Sequence, residues 1–108
     1  MIDDIKAAEE LVEKMKENLP IFAYPTKSLR ISLNNSNNIN LKSKSLLRIK
    51  DVLYMGNEGG ICCAIAVNKE GELLIVSLTH LNIDAKQPLA KEIKSYQFKR
   101  RKALSNTA

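Results

Sequence analysis

Few side chains in this sequence are equipped for chemistry, and they cluster in its middle. Cys62 and Cys63 sit side by side in the run GGICCAIAV, residues 59–67, and His80 is the single histidine. A zinc site needs several ligands converging on one point, usually from Cys-x-x-Cys or longer spacings. Adjacent residues of a strand point to opposite faces, so these two thiols diverge. With one histidine, a four-ligand site would also need carboxylates. The pair reads as two buried small hydrophobes, and no metal or cofactor is expected.

His80 follows an apolar run, at the end facing the segment GNEGG, residues 56–60. That places Tyr54, Asn57, Glu58 and His80, with Asp84 nearby, around one rim of a sheet. A histidine beside a carboxylate can transfer protons, and Gly59-Gly60 would let a ligand approach the backbone. The same glycines are equally what a hairpin turn requires, and a histidine at a strand end is commonly a capping or solvated residue. No nucleophile motif, phosphate-binding glycine loop or paired-cysteine motif is present. Whether the chain is an enzyme stays open, and the missing motifs weigh against it.

The third chemical feature is charge. The chain carries 17 lysines and arginines against 12 acids, for a net charge of +5. Residues 3–17 hold six acids and three bases, whereas residues 86–102 hold seven bases and one acid. A second basic stretch, 27–50, runs from Lys27 and Arg30 through Lys42, Lys44 and Arg48 to Lys50 without an acid. Placed at helical steps, Leu89, Ile93, Tyr96, Ala103 and Leu104 share one face, and Lys91, Lys94, Arg101 and Lys102 oppose it with Phe98 among them. An aromatic ring among cations suits base stacking and phosphate contact, or an acidic protein partner. Cations near a helix C-terminus also simply complement its dipole. Arg100 falls on the apolar side, which suggests a helix that does not run straight so far.

The elements that must position these residues follow from periodicity. Ile5, Ala8, Leu11, Val12, Met15 and Leu19 recur at three- and four-residue steps, predicting an amphipathic helix over 3–18 capped by Asp3 or Asp4 and ended by Asn18 and Pro20. IFAYP, residues 21–25, has a proline before it and one at its end, and reads as an extended link or short edge strand. Leu29, Ile31 and Leu33 alternate with polar residues, predicting a strand at 28–33. Asn34–Asn38 reads as a turn or loop. Strands then follow at 46–55, 61–67 and 72–79, joined by GNEGG and by NKEG at 68–71. Counting from these turns puts Met55 near Ile61, Tyr54 beside Cys62, Cys62 beside Ser77 and Cys63 beside Val76. One face then collects Leu53, Met55, Ile61, Cys63, Ile65, Leu74 and Val76 as core. The other, milder face carries Val52, Tyr54, Cys62, Ala64, Ala66 and Ile75. Asp84 and Gln87 have capping-box spacing, so a last helix begins near Pro88 and ends near Leu104, with a disordered tail at 105–108.

The expected fold is therefore α+β: a four-stranded antiparallel sheet, made of a three-strand meander at 46–79 plus a strand at 28–33, with N- and C-terminal helices. At 108 residues with 44% hydrophobic content, residues 1–108 form a single domain able to bury one core. No stretch approaches the length of apolar residues that spans a membrane. The acidic start is unlike a secretory leader, and two unspaced cysteines suit reduced thiols, so the expected location is cytoplasmic. Small residues at Cys62, Ala64 and Ala66 would let a second subunit approach closely. Three functions are compatible with this reading: a non-catalytic protein-interaction or regulatory module that self-associates as a homodimer; a nucleic-acid-binding protein using Lys91, Lys94, Phe98, Arg101 and Lys102; and a small enzyme or ligand binder at the Tyr54, Asn57, Glu58 and His80 rim.

Overall fold

The computed structural model describes residues 3–36, 39–67 and 72–106. The elements run α1 (Ile5–Glu17), β1 (Ile21–Pro25), α2 (Lys27–Ser36), β2 (Leu47–Tyr54), β3 (Ile61–Ala66), β4 (Leu73–Ser77), a 3-10 turn (Leu78–His80), β5 (Leu81–Ile83) and α3 (Ala90–Asn106). The strands form one antiparallel sheet in the order β4-β3-β2-β1-β5. The class is α+β, with helices at both ends, and the sheet has five strands rather than four.

The first helix forms as its periodicity predicts. Asp4 caps it by accepting from the Ala7 amide at 3.1 Å. Ala8, Leu11, Val12 and Met15 are buried. Asn18 closes it, its amide donating to the Met15 carbonyl and its side chain to the Lys14 carbonyl.

Residues 28–33 are a helix, not a strand. Leu29 and Leu33 satisfy both readings, because residues four apart share a helix face as well as a strand face. The capping chemistry decides between them. The Thr26 carbonyl accepts from the Arg30 amide at 3.0 Å, and its hydroxyl lies 3.4 Å from the Leu29 amide. Leu29 and Leu33 are buried and Ile31 is exposed, the pattern of one helical face. Asn34 ends its turn productively: its side chain donates to the Leu41 carbonyl and accepts from the Leu41 amide at 2.7 Å, tying the following loop back to α2. Residues 37 and 38 of the asparagine cluster lie outside the described residues.

The missing strand is IFAYP. It lies inside the sheet, between β2 and β5, pairing Ile21 with Ile49 and Ala23 with both Leu47 and Ile83. The third meander strand also ends sooner than expected. Ser77 starts the 3-10 turn, and the chain re-enters the sheet at its far edge as β5. The NKEG turn at 68–71 lies outside the described residues.

The register between β3 and β4 is as counted, with Cys62 opposite Ser77 and Cys63 opposite Val76. Between β2 and β3 it is one residue off: Tyr54 pairs with Ile61, Leu53 with Cys62 and Val52 with Cys63. The register shifts between Ile49 and Asp51, a bulge that leaves Lys50 and Asp51 both exposed. A bulge adds one residue to one strand and reverses the alternation beyond it. Val52 and Tyr54 therefore face the helices, and Leu53 and Met55 face away.

One hydrophobic core results. Buried side chains of α1, α2 and α3 join Ile21, Ala23, Leu47, Ile49, Val52, Ile61, Cys63, Ile65, Val76, Leu81 and Ile83 in a single cluster. α1 lies against β2, and α3 against the 3-10 turn and β5. α3 runs unbroken through Arg100 to Asn106, so the expected bend is absent. Its buried residues are Ala90, Ile93, Gln97 and Arg100, a face half polar, which apolar periodicity could not locate. Residues 105 and 106 belong to this helix, and 107 and 108 lie outside the described residues.

Candidate functional site

The β2–β3 hairpin, the last helix and the first described residue converge on one buried carboxylate. Asp3 Oδ2 accepts from Arg100 Nη1 at 2.9 Å, from the Tyr96 hydroxyl at 3.0 Å and from the Tyr54 hydroxyl at 3.2 Å. Tyr96 in turn accepts from the Ile61 amide at 2.9 Å, and Arg100 Nη2 donates to the Asn57 carbonyl at 2.9 Å. The side chains of Asp3 and Arg100 are each 3% exposed. Among the described residues two groups of the pair have no partner: Asp3 Oδ1 and Arg100 Nε. Burial, and then the neighbouring Asp3 carboxylate, push the Tyr54 phenol up. Burial does the same for Tyr96, with Asp3 adding to it against the Ile61 amide and Arg100. Both phenols are held protonated, as donors to Asp3.

The second of the two glycines ahead of the cysteines is explained by this cluster. Gly60 has φ +64°, and a Cβ on it would collide with the Tyr96 hydroxyl and approach Arg100 Nη1 to 2.7 Å. The Gly60 backbone thus lies against the tyrosine and arginine themselves, leaving no room there for a ligand. Gly59 has φ +118°, and a Cβ there would meet Cys62 Sγ at 2.9 Å.

Above the cluster, α1 and α3 enclose a groove of about 520 Å³. Asp3, Tyr96 and Arg100 line its buried end, and Ala7, Ala8 and Leu11 give α1 an apolar wall. Its acids, Asp3, Asp4, Glu10 and Glu92, match its bases, Lys14, Lys91, Lys99 and Arg100, in number. Sequence reasoning missed this site because Asp3 and Arg100 lie 97 residues apart. The one available signal was an arginine on the apolar side of a helix.

The rim proposed from sequence is divided. Tyr54 turns to Asp3, and Asn57 gives its carbonyl to Arg100. Glu58 is exposed in the hairpin turn. His80 is exposed at the end of the 3-10 turn, where its carbonyl accepts from the Thr26 amide at 3.1 Å, joining it to the start of α2. Asp84 caps a separate turn through the Lys86 amide. Tyr54 and Asn57 thus meet through the Asp3–Arg100 pair, and no described contact brings His80 to them.

The outer sheet face is a second candidate surface. Cys62 and Ala64 are 4% and 5% exposed, yet both stand outside the core cluster. Their neighbours across the strands, Leu53 and Ile75, are 38% and 55% exposed, and Leu73, opposite Ala66, is 48% exposed. Neither thiol is in a reactive setting. Burial, then the charge of Cys62, pushes the Cys63 thiol up to about 12, and burial raises Cys62 against the opposing pull of Arg100. Among the described residues no group of three or more His, Cys, Asp or Glu could hold a metal ion, and no helix is long and apolar enough to cross a membrane.

On the exposed side of α3, Phe98 is 67% exposed, with Lys91, Lys94 and Lys102 also outward. Arg101, grouped with them from sequence, reaches back instead to the Thr79 carbonyl. Comparisons with protein-family models, with curated proteins and with solved structures find no match to this chain.

Proposed function

We propose that this protein is a non-catalytic interaction module that self-associates through the β4 edge of its sheet. The observation that carries this reading is the set of exposed apolar side chains Leu73 and Ile75 on β4, with Leu53 across the buried Cys62 and Ala64. Small buried residues flanked by large half-exposed ones form a shallow trough suited to close packing. The set ends on β4, an edge strand of sequence LLIVS that carries neither charge nor proline. Edge strands without such features are templates for pairing with another chain.

A second copy related by a two-fold axis suits this edge. Antiparallel pairing of β4 with itself about Ile75 sets Ile75 opposite Ile75 and Leu74 opposite Val76, so both faces of the extended sheet stay apolar where they meet. Such an interface is isologous, the commonest kind in homo-oligomers. Sedimentation velocity tests it. The protein is expected as a dimer at micromolar concentration, and Ile75→Asp as a folded monomer. A wild-type monomer at every accessible concentration sinks the reading.

One observation favours a second role, contact with nucleic acid through α3. A phenylalanine 67% exposed among Lys94 and Lys102 is a stacking platform beside phosphate-binding charge. Fluorescence anisotropy with a single-stranded oligonucleotide should then show salt-dependent binding that Phe98→Ala weakens. No binding at low salt removes this role.

A further inference from the structure

The outer face of the sheet carries a separate feature at β1, away from the β4 edge and on the side opposite the helices. Ile21 and Ala23 enter the core, so Phe22 and Tyr24, which alternate with them along the strand, turn to the outer face. Both are half-buried, and both stand outside the core cluster. The chain has two phenylalanines and three tyrosines, and none is among the buried residues of that core. Tyr54 and Tyr96 serve Asp3 instead. An aliphatic core thus leaves two aromatic rings as neighbours on a sheet face.

The residues beside the rings set the class of partner. Phe22 lies opposite Arg48, and Tyr24 opposite Asn82, and residues directly opposite share a sheet face. Arg48 and Asn82 are exposed, as are Lys50 further along β2 and Lys42 and Lys44 in the segment leading into it. These cations belong to the acid-free stretch 27–50. The acids that flank the face in sequence are engaged: Asp51 accepts from the Val52 amide at 2.8 Å and Asp84 from the Lys86 amide at 2.9 Å. The charge suits a polyanion, and the rings suit flat, unpaired groups. We propose that this face binds single-stranded nucleic acid: bases stacked on Phe22 and Tyr24, phosphates at Arg48 and Lys50, and a base edge at the Asn82 amide, which offers both donor and acceptor. The two rings lie about 7 Å apart along the strand, about twice the step of about 3.4 Å between stacked bases of a duplex. They therefore match two bases splayed out of their own stack. A double helix keeps its base faces inside and offers these rings nothing.

The test is fluorescence anisotropy with labelled oligo(U) and oligo(dT) of about 12 nucleotides, against duplex DNA of the same length. Saturable binding of a single strand, clearly tighter than of the duplex, is expected; the tighter of the two strands identifies RNA or DNA as the partner. Phe22→Val and Tyr24→Val keep strand-forming residues and should each weaken binding about tenfold, the value of one base stack. Should those variants unfold, Arg48→Gln decides. Position 48 is exposed, and losing one phosphate contact should lower the slope of log affinity against log salt by about 0.7. No binding at low salt, a duplex bound as tightly as a single strand, or an Arg48→Gln protein with unchanged affinity and slope each overturns the proposal. A loss confined to Phe98→Ala would assign the binding to α3 and overturn it too. So would self-association that survives Ile75→Asp and disappears in Phe22→Val, because a second copy would then occupy this face. Pairing at the β4 edge is read separately by sedimentation, so its failure leaves these outcomes unchanged.

Discussion

Arg100 lies 2.9 Å from Asp3, both side chains 3% exposed, and this contact ties the beginning of the described chain to the last turns of its last helix. The pair also gathers Tyr54, Tyr96 and the Asn57 carbonyl, so β2, the hairpin turn and α3 all depend on it. Removing one partner of a buried pair strands the other's charge. Arg100→Met is therefore expected to cost about 3–5 kcal/mol in urea denaturation. Replacing both, with Asp3→Leu and Arg100→Met together, should recover much of that loss, because two apolar groups leave no buried charge. Equal losses in the single and double variants would show that the charge is not what matters.

The hairpin glycines separate backbone strain from contact. Gly56 and Gly60 have nearly the same backbone, φ +68° and +64°, but a Cβ on Gly56 meets nothing within 4 Å while one on Gly60 strikes Tyr96 and Arg100. Gly56→Ala should cost only the left-handed penalty, about 1–2 kcal/mol. Gly60→Ala should cost clearly more, and in it the Tyr96 fluorescence environment should change. Similar melting temperatures for the two would mean that the cluster yields freely.

Alkaline pH should weaken the fold through groups held protonated in it. The Cys63 thiol is raised from its ordinary 9.0 to about 12, chiefly by burial, so between those values the unfolded chain releases a proton that the native chain keeps. Stability is then fully present below pH 9.0 and falls by about 1.4 kcal/mol per pH unit above it. Tyr54 and Tyr96, raised from 10.0, act in the same direction above that value. Denaturation across an alkaline series should show this decline, and Cys63→Ala should make it shallower. An unchanged slope in Cys63→Ala would place the effect elsewhere.

What could be read from the sequence depended on how local the signal was. α1 and the β3–β4 register follow from spacing and a short turn, and both were legible. The bulge in β2 was not, because Lys50-Asp51 interrupts an alternation that resumes in the opposite phase, and turn counting assumes no interruption. Asp3 and Arg100 carry no mutual signal over 97 residues. In α2 the apolar spacing fitted two structures, and only the Thr26 cap distinguished them. That distinction is measurable. In a strand Leu29, Ile31 and Leu33 would be equivalent, whereas in α2 Leu29 is buried and Ile31 is 53% exposed. Leu29→Ala should cost about 2–5 kcal/mol, and Ile31→Ala no more than about 0.5 kcal/mol. Equal losses would restore the strand.

Gln97 shows how a polar residue sets the position of α3. It is buried, and its Nε2 donates to the Leu78 and Leu81 carbonyls, each at 2.7 Å. The Leu78 carbonyl begins the 3-10 turn and also accepts from the Leu81 amide, and Leu81 begins β5, so the side chain spans the point where the chain leaves β4 and enters β5 at the opposite edge. Gln97→Met keeps the volume but removes a donor from both carbonyls, of which that of Leu78 keeps only the Leu81 amide, and should cost about 1–3 kcal/mol. Gln97→Glu is the sharper variant. An ionised carboxylate has no hydrogen to donate and would face two carbonyl oxygens, so it should be less stable than Gln97→Met at neutral pH. The protonated acid can donate one hydrogen bond, so stability should rise as pH falls through the raised pKa of the new carboxyl. Denaturation of both variants at neutral and mildly acidic pH checks this. A Gln97→Glu protein indifferent to pH would show that the amide does not hold the turn.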